Sequence, residues 1–274
     1  MKIGYQGVDG AYSQMALRNF FGEGNEEIGY ADFLQMFSDT EKGILDYALF
    51  PVENTTTGII ARTYDHFQDY DVYATGEVII PIRHDLIGFE GCDVSQIREV
   101  YSHPEAILQC QELFKKYPHM HPVVYEDTAL SVSYVKECGD KSKAAIASRL
   151  AAQIYGMSPI LKEVQDNDAN MTRFLVVGNK EAYPENADKI SIRMVLNHTP
   201  GALYHTLGIF ASKNINVVKL ESRPIPGKAF EYCFYLDFSG DLKDPDVKEV
   251  LRRLRYDCLD LKVFGCYKAD VQEG

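Results

Sequence analysis

No stretch of this 274-residue chain approaches the roughly 18 consecutive apolar residues that a membrane-spanning helix needs. Its six cysteines, at positions 92, 110, 138, 233, 258 and 266, include no Cys-x-x-Cys pair. That scatter fits reduced thiols better than a disulfide framework or a zinc site. Positive charge is also scarce: 28 Lys and Arg face 40 Asp and Glu, for a formal net charge of −12. Such a chain repels nucleic acid and anionic membrane surfaces at long range. An anionic ligand would have to be held by local donors, such as helix N-termini and a placed arginine. The opening Met1-Lys2-Ile3-Gly4-Tyr5-Gln6-Gly7 reaches its glycines before any apolar stretch of signal-peptide length. A soluble, cytoplasmic protein is expected. There is no Gly-x-Ser-x-Gly elbow and no Walker phosphate loop.

What is present is ample core material. Hydrophobic residues make up 46% of the chain, more than one core usually organises, so two domains are expected. Up to about Phe174, short apolar runs alternate with helical periods. Ile3 to Tyr5 reads as a buried strand, then a glycine-punctuated turn and a helix over Tyr12 to Phe21. Tyr47 to Val52 reads as a second buried strand and Gly58 to Phe67 as a helix. Glu99 to Tyr101, Val123 to Tyr125 and Ala144 to Ala147 are strand candidates, each followed by a helix. One such helix carries Ala106, Leu108, Cys110, Leu113 and Phe114 at three- and four-residue spacing. The alternation argues for an α/β domain with mostly parallel strands. Val78 to Phe89, broken by Pro81, and Ile160 to Val164 read as two crossings between lobes, with a ligand cleft between them.

Lys180 to Asp188 is polar and reads as a linker. Beyond it Ile190, Ile192, Met194 and Leu196 alternate as a half-buried strand. Leu203, Leu207, Phe210 and Ala211 share a helix face that Asn214 can stop. Ile215 to Ser222 is the next strand. Pro224-Ile225-Pro226-Gly227 turns the chain into Ala229 to Phe238, where Phe230, Tyr232, Phe234 and Phe238 alternate. Val247, Val250, Leu251 and Leu254 mark a second helix, and Leu261 to Tyr267 a last strand. The order βαββαβ is a ferredoxin-like unit.

Several polar runs could carry chemistry. Gly4-x-x-Gly7-x-x-Gly10 has the wrong spacing for a dinucleotide fingerprint, so it reads as a tight turn. With Ser13, that turn could still bind a carboxylate through backbone N–H groups. Pro51-Val52-Glu53-Asn54-Thr55-Thr56-Thr57-Gly58 holds five successive polar side chains at the end of a strand, more than a helix cap requires. Ligands of open α/β sheets bind at such strand ends. Gln165 to Phe174 is a polar run entering the apolar strand Leu175 to Val177. It is either a surface turn or a site in which Arg173 offers a planar fork and Thr172 a hydroxyl, and composition does not decide. His119-Met120-His121-Pro122 reads as a solvated loop rather than a metal site.

Taken together these runs resemble the prephenate dehydratase family over nearly the whole chain. The matching pieces are Gly7-Val8-Asp9-Gly10-Ala11-Tyr12-Ser13, Pro51-Val52-Glu53-Asn54-Thr55 with Gly58, and Ser102-His103-Pro104-Glu105-Ala106. Ala144-Ala145-Ile146-Ala147-Ser148 and Asn170-Met171-Thr172-Arg173-Phe174 complete the set. The tail resembles an ACT domain at His198-Thr199-Pro200-Gly201-Ala202-Leu203 and Glu221-Ser222-Arg223-Pro224. Two departures stand out. The family carries serine where this chain has Thr55, and reads Ser-Thr-Ala where this chain reads Asp127-Thr128-Ala129.

The resemblance implies a two-lobed α/β catalytic domain of the periplasmic-binding-protein-like (type II) kind over residues 1–182. An α+β ferredoxin-like ACT domain would follow over 188–274. It implies dehydration and decarboxylation of prephenate to phenylpyruvate, with arogenate as the alternative substrate. A non-catalytic amino-acid-binding protein is the alternative outside enzymes. No chorismate mutase segment precedes Met1, so the monofunctional form is expected. Thr172 is implied as the essential hydroxyl, with Glu53 its partner if a proton moves. Arg173, Ser13, Asn54 and Thr55 would fix the carboxylates, Phe174 would wall the site, and Asn170 and Thr128 would contact substrate. Phenylalanine would bind Gly201, Ala202, Leu203, Glu221, Ser222 and Arg223 across the interface of a homodimer or homotetramer. No cofactor or metal is expected.

Overall fold

In the computed structural model, which describes residues 1–225, 227–228 and 230–271, the chain opens with the anticipated strand, turn and helix. These are β1 (Lys2–Gln6) and α1 (Tyr12–Phe21). Gly10 between them has φ +90°, and a Cβ there would lie 2.7 Å from the Cα of Ala151. Only glycine fits that turn. β2 (Glu26–Tyr30), α2 (Phe33–Glu41) and β3 (Tyr47–Asn54) follow. The helix expected from Gly58 starts later. β4 (Gly58–Ile59) first pairs back on Glu53 and Asn54, and α3 (Ala61–Phe67) begins after it.

β5 (Tyr73–Pro81), β6 (Asp85–Gly88) and β7 (Glu99–Ser102) come next. The helix expected through Leu108 and Cys110 is two, α4 (Pro104–Leu108) and α5 (Gln111–Lys116). The Asp166 carboxylate accepts the backbone N–H groups of Gln111 and Glu112 at 2.7 and 3.0 Å, a cap that starts a new helix there. Leu108 is consequently exposed. β8 (His121–Val124), α6 (Thr128–Cys138), β9 (Lys143–Ala147), α7 (Arg149–Tyr155) and β10 (Ser158–Leu161) complete this stretch. β11 (Met171–Gly178) begins four residues ahead of the apolar run that announced it.

The C-terminal elements are β12 (Lys189–Val195), α8 (Ala202–Ser212), β13 (Val217–Pro224), β14 (Tyr232–Ser239), α9 (Pro245–Asp257) and β15 (Asp260–Tyr267). Their order is the βαββαβ that the periodicity indicated. Pro226 and Ala229, in the expected turn and strand, lie outside the described residues, as do residues 272–274. Phe230 precedes β14 and is exposed, so the inward alternation is Phe234, Leu236 and Phe238.

The chain forms two compact units. One comprises residues 1–36, 49–60 and 79–174, and the other residues 37–48, 61–78 and 175–274. In the first, β11, β3, β1 and β2 lie side by side. A separate five-stranded sheet there runs β10-β6-β9-β7-β8, with β7 parallel to both β8 and β9. Ile160, expected in a crossing, falls in β10, which pairs antiparallel with β6.

In the second unit, β13-β14-β12-β15 form an antiparallel sheet with β5 beside β15. Ile190, Ile192, Met194 and Leu196 bury one face of it with Val247, Val250, Leu251 and Leu254 of α9. The strand β12 is buried on both faces, not half-buried as its alternation suggested. Ser191 donates to Asp237 at 2.5 Å, and Arg193 pairs with Asp260 at 2.6 Å. Tyr64 and Phe67 of α3 pack against Tyr235 and Phe264 on that side. Among the described residues no helix is long and apolar enough to cross a membrane.

Gly265 of β15 is paired with Ala74 of β5, and a Cβ on it would sit 1.9 Å from the Ala74 carbonyl oxygen. The substitution Gly265→Ala should therefore lower unfolding stability by about 1–3 kcal/mol or more. A urea-unfolding midpoint equal to that of the unsubstituted protein would show that the two strands separate without cost.

Candidate active site

Two backbone N–H groups fix the site's central side chain. Asn54 ends β3, and its Oδ1 accepts from the backbone of Thr56 at 2.8 Å and of Thr57 at 3.0 Å. Backbone donors cannot reverse, so the Asn54 amide nitrogen must point the other way. There it donates to Asn170 Oδ1 at 2.8 Å and to Thr172 Oγ1 at 2.9 Å. Asn170, its oxygen now occupied, donates through Nδ2 to Gln109 Oε1 at 3.0 Å. The same Gln109 oxygen lies 2.9 Å from His84 Nε2, so that nitrogen carries the hydrogen.

The chain of donors continues to Tyr12. Burial lowers the pKa of His84, against a smaller opposing effect of the Gln109 hydrogen bond, which favours the neutral ring. With Nε2 protonated, Nδ1 is left as the acceptor facing the Tyr12 hydroxyl at 2.8 Å. That hydroxyl also donates to the Arg83 carbonyl oxygen at 2.6 Å, so its one hydrogen is shared between the two acceptors. Burial holds the Tyr12 phenol well above its ordinary pKa, so it stays protonated.

Thr172 is the free end of this chain. Its oxygen accepts from Asn54, and its own hydrogen has no acceptor among the described residues. Thr172 lines a cavity of about 260 Å³ together with Asn54, Gln109, His84, Tyr12 and Phe174. Ser13 and Thr128, in the first turns of α1 and α6, line it too, so two helix N-termini border the space. At α1 the first-turn N–H groups and the helix dipole favour a ligand carboxylate, whereas at α6 the Asp127 carboxylate already accepts the N–H groups of Ala129 and Leu130. Phe174 and Ile82 supply apolar wall. Among the described lining residues, Glu105 and Asp127 carry formal charge, and there is no Lys or Arg.

The expected site residues divide accordingly. Ser13, Asn54, Thr128, Thr172 and Phe174 come together on the cavity. Asn54 has both amide hydrogens and its oxygen engaged, so it orients Thr172 rather than gripping a ligand. Asn170 is buried behind the cavity as the link to Gln109. Thr55 donates to the Ala169 carbonyl oxygen and accepts from Met171 N–H, tying two loops together.

Arg173 and Glu53 are not on the cavity. Successive strand residues face opposite ways, so Arg173 turns away from the side that Thr172 and Phe174 present. It is buried there and paired with the partly exposed Glu53, Nη2 to Oε2 at 3.0 Å. The expected carboxylate fork and proton partner are thus an ion pair on the far side of the strands. The run Gln165 to Phe174 ends as a buried strand, not a surface turn, since Asn170, Thr172 and Arg173 are all buried. Gln109 and His84 were missed. The signal for Gln109 was its place on the helix broken by Asp166; His84 carried none.

In the second unit, Ala202 and Leu203 line a cavity of about 640 Å³ with Glu231, Tyr232 and Phe234. Gly201 is the left-handed N-cap of α8. Glu221, Ser222 and Arg223 on β13 do not line that cavity, and Arg223 pairs with Asp65 of α3 at 2.9 Å.

The neutrality of His84 carries a pH dependence. The unfolded chain protonates this ring near pH 6.5, whereas the folded ring resists protonation until lower pH. Below about pH 6.5 the unfolded state then binds more protons, so acidification erodes stability. In a nuclear magnetic resonance titration His84 should remain in the Nε2–H form below the ordinary histidine range. Titration at or above that range would refute the assigned hydrogen-bond chain.

Comparison with known proteins identifies the family. The family model for prephenate dehydratase matches residues 3–182, and that for the ACT domain matches residues 190–256. An arogenate dehydratase/prephenate dehydratase of Arabidopsis thaliana is 34% identical over 282 residues, which cover 99% of this chain and 74% of that protein. A solved prephenate dehydratase from Arthrobacter aurescens, in complex with L-Phe, is 26% identical with a TM-score of 0.90, covering 98% of this chain and 90% of its own. A structure described as a novel type of quorum-quenching acylase is 28% identical with a TM-score of 0.90, covering 98% of each chain. With about two thirds of its length matched by the one family model and the tail by the other, the chain belongs to the prephenate dehydratase family and carries an ACT domain.

Proposed function

We propose that this chain is a carbon–oxygen lyase that converts prephenate to phenylpyruvate, with Thr172 as the hydroxyl that assists departure of the ring oxygen. The observation that carries the reading is the unfilled Thr172 donor, aimed by an amide whose orientation two backbone N–H groups dictate. In the reaction the bond from the ring to its carboxylate breaks and releases carbon dioxide. The freed electron pair enters the ring as the carbon–oxygen bond breaks, and hydroxide leaves to become water. Aromatisation supplies the driving force, so no strong acid or metal is required of the protein.

A threonine is too weak an acid to transfer a proton in the tuned-pKa sense. As an oriented hydrogen-bond donor to the developing hydroxide it is worth about 10²–10³ in rate. The Thr128 hydroxyl and the first-turn backbone N–H groups of α1 are the donors that support binding of the substrate's carboxylates, since the Ser13 hydroxyl is committed to the Gln6 carbonyl oxygen and Asp127 takes the N–H groups of Ala129 and Leu130 in α6. The catalytic part spans residues 1–182 and the regulatory part residues 188–274 in this reading. The acylase description of one similar structure does not transfer on the same grounds. Amide hydrolysis by an activated alcohol needs a base on the nucleophile. Ser13 donates to the Gln6 carbonyl oxygen, and no cavity serine or threonine is bonded to a histidine or carboxylate among the described residues.

Phenylalanine is the proposed effector, bound at Gly201 to Leu203 of one chain and Glu221 to Arg223 of a second. The cavity beside Ala202 and Leu203 supports this, as does β13, the edge strand of its sheet, with Val218 and Leu220 exposed. An uncovered eight-residue edge is a natural place for a second copy to pair. Binding there lowers activity by favouring a less active population.

Thr172→Ala should lower kcat for phenylpyruvate formation by about 10²–10³, and Thr172→Ser should restore part of it. Unsubstituted rates in the alanine protein would remove Thr172 from the mechanism. Leu203→Glu should raise the phenylalanine concentration for half-inhibition at least about tenfold, because a buried carboxylate is costly beside an apolar ligand. Inhibition that survives unaltered would place the effector elsewhere.

A further inference from the structure

Asp127 lines the same cavity as Thr172. Its Oδ1 caps α6, accepting from Ala129 N–H at 2.7 Å and Leu130 N–H at 3.0 Å. A serine caps a helix equally well, so capping does not explain the charge. The second oxygen, Oδ2, has no partner among the described residues. Asp127 is half-buried rather than out in solvent.

The charge balance around it is one-sided. Asp127 and Glu105 are the charged groups among the described lining residues, and His84 is held neutral by burial. Prephenate would bring two carboxylates and a keto group into a cavity lined by two carboxylates and, among the described residues, by no Lys or Arg. Its amino counterpart, arogenate, has the same ring and carboxylates but an α-ammonium in place of the keto oxygen. That ammonium cancels one negative charge and offers three N–H donors, which a carboxylate accepts and a keto oxygen cannot supply.

We propose that Asp127 is a specificity residue whose free carboxylate oxygen receives the α-ammonium of arogenate, so that this site turns over arogenate as well as prephenate. The proposal rests on the dehydratase reading above and adds the recognition of the amino group. The bond changes are the same: the ring carboxylate leaves as carbon dioxide and the ring hydroxyl as hydroxide. The ammonium is retained, and the product is phenylalanine instead of phenylpyruvate.

The test compares kcat/KM for the two substrates in the full-length protein, in Asp127→Asn and in Asp127→Ser. Both variants keep a capping oxygen for α6 and remove the charge. The unsubstituted protein is expected to act on both substrates. In each variant the ratio of kcat/KM for arogenate to that for prephenate should fall at least about tenfold, through a higher KM for arogenate and a lower one for prephenate. A ratio that does not move in either variant overturns the assignment, as does an unsubstituted protein active on prephenate but inert toward arogenate. Activity on neither substrate would instead sink the dehydratase reading, and this proposal with it.

Discussion

The orientation of one carboxamide governs the rest of the site. Asn54 could present either end of its amide to Thr172, and only the N–H groups of Thr56 and Thr57 exclude the reversed state. Reversal would put a nitrogen against two backbone donors and leave all of them unsatisfied in a buried place, which costs about 1–3 kcal/mol per group. Every later polarity follows by exclusion: oxygen on Asn170 toward Asn54, oxygen on Gln109 toward Asn170, hydrogen on His84 Nε2. A run of neutral groups thereby acquires a fixed direction without any charge in it.

That constraint also shows why contiguous sequence misleads at Asn170 to Phe174. The five residues read as one motif, and a motif invites a single binding surface. A strand instead sends alternate residues to opposite sides. Thr172 and Phe174 reach the cavity, while Arg173 is buried on the reverse and paired with Glu53. Glu53 and Asn54 divide between the same two faces, so the far side holds an ion pair behind the near side's neutral chain. Removing Glu53 would strand the buried Arg173 guanidinium, which makes the pair structural in effect.

Elements whose local signals agree with their packing were legible in the sequence. The helix over Tyr12 to Phe21 has the limits its pattern gave, and α9 buries the four residues its spacing selected. Where the sequence misled, a partner remote in the chain decides. Asp166 breaks the helix after Leu108 from more than fifty positions away. Gly58 and Ile59 are drawn into β4 by Glu53 and Asn54 before a helix can begin. Ser191 and Arg193 are buried beside polar partners on β14 and β15, Asp237 and Asp260, which apolar periodicity cannot register. Gln109 and His84 belong to the same class, since their role exists only once Asn170 and Tyr12 are beside them.

The weakness of the acids in this cavity follows from what the reaction demands. A histidine able to protonate a leaving hydroxide would need a pKa near neutrality and a free N–H toward the substrate. His84 has neither: burial depresses its basicity, and its Nε2–H is committed to Gln109. Tyr12 is shifted the opposite way by the same burial, so its proton is held even more firmly. Both titratable rings are thus kept in their neutral forms, and in the proposed reaction the group that meets the departing oxygen is an alcohol that has already received a hydrogen bond. An alcohol oxygen that accepts from an amide becomes a better donor through its own hydrogen, because the two bonds polarise each other in the same direction. Under the proposed mechanism, a donor of that strength in a fixed place is all that a ring gaining aromaticity as it loses carbon dioxide demands.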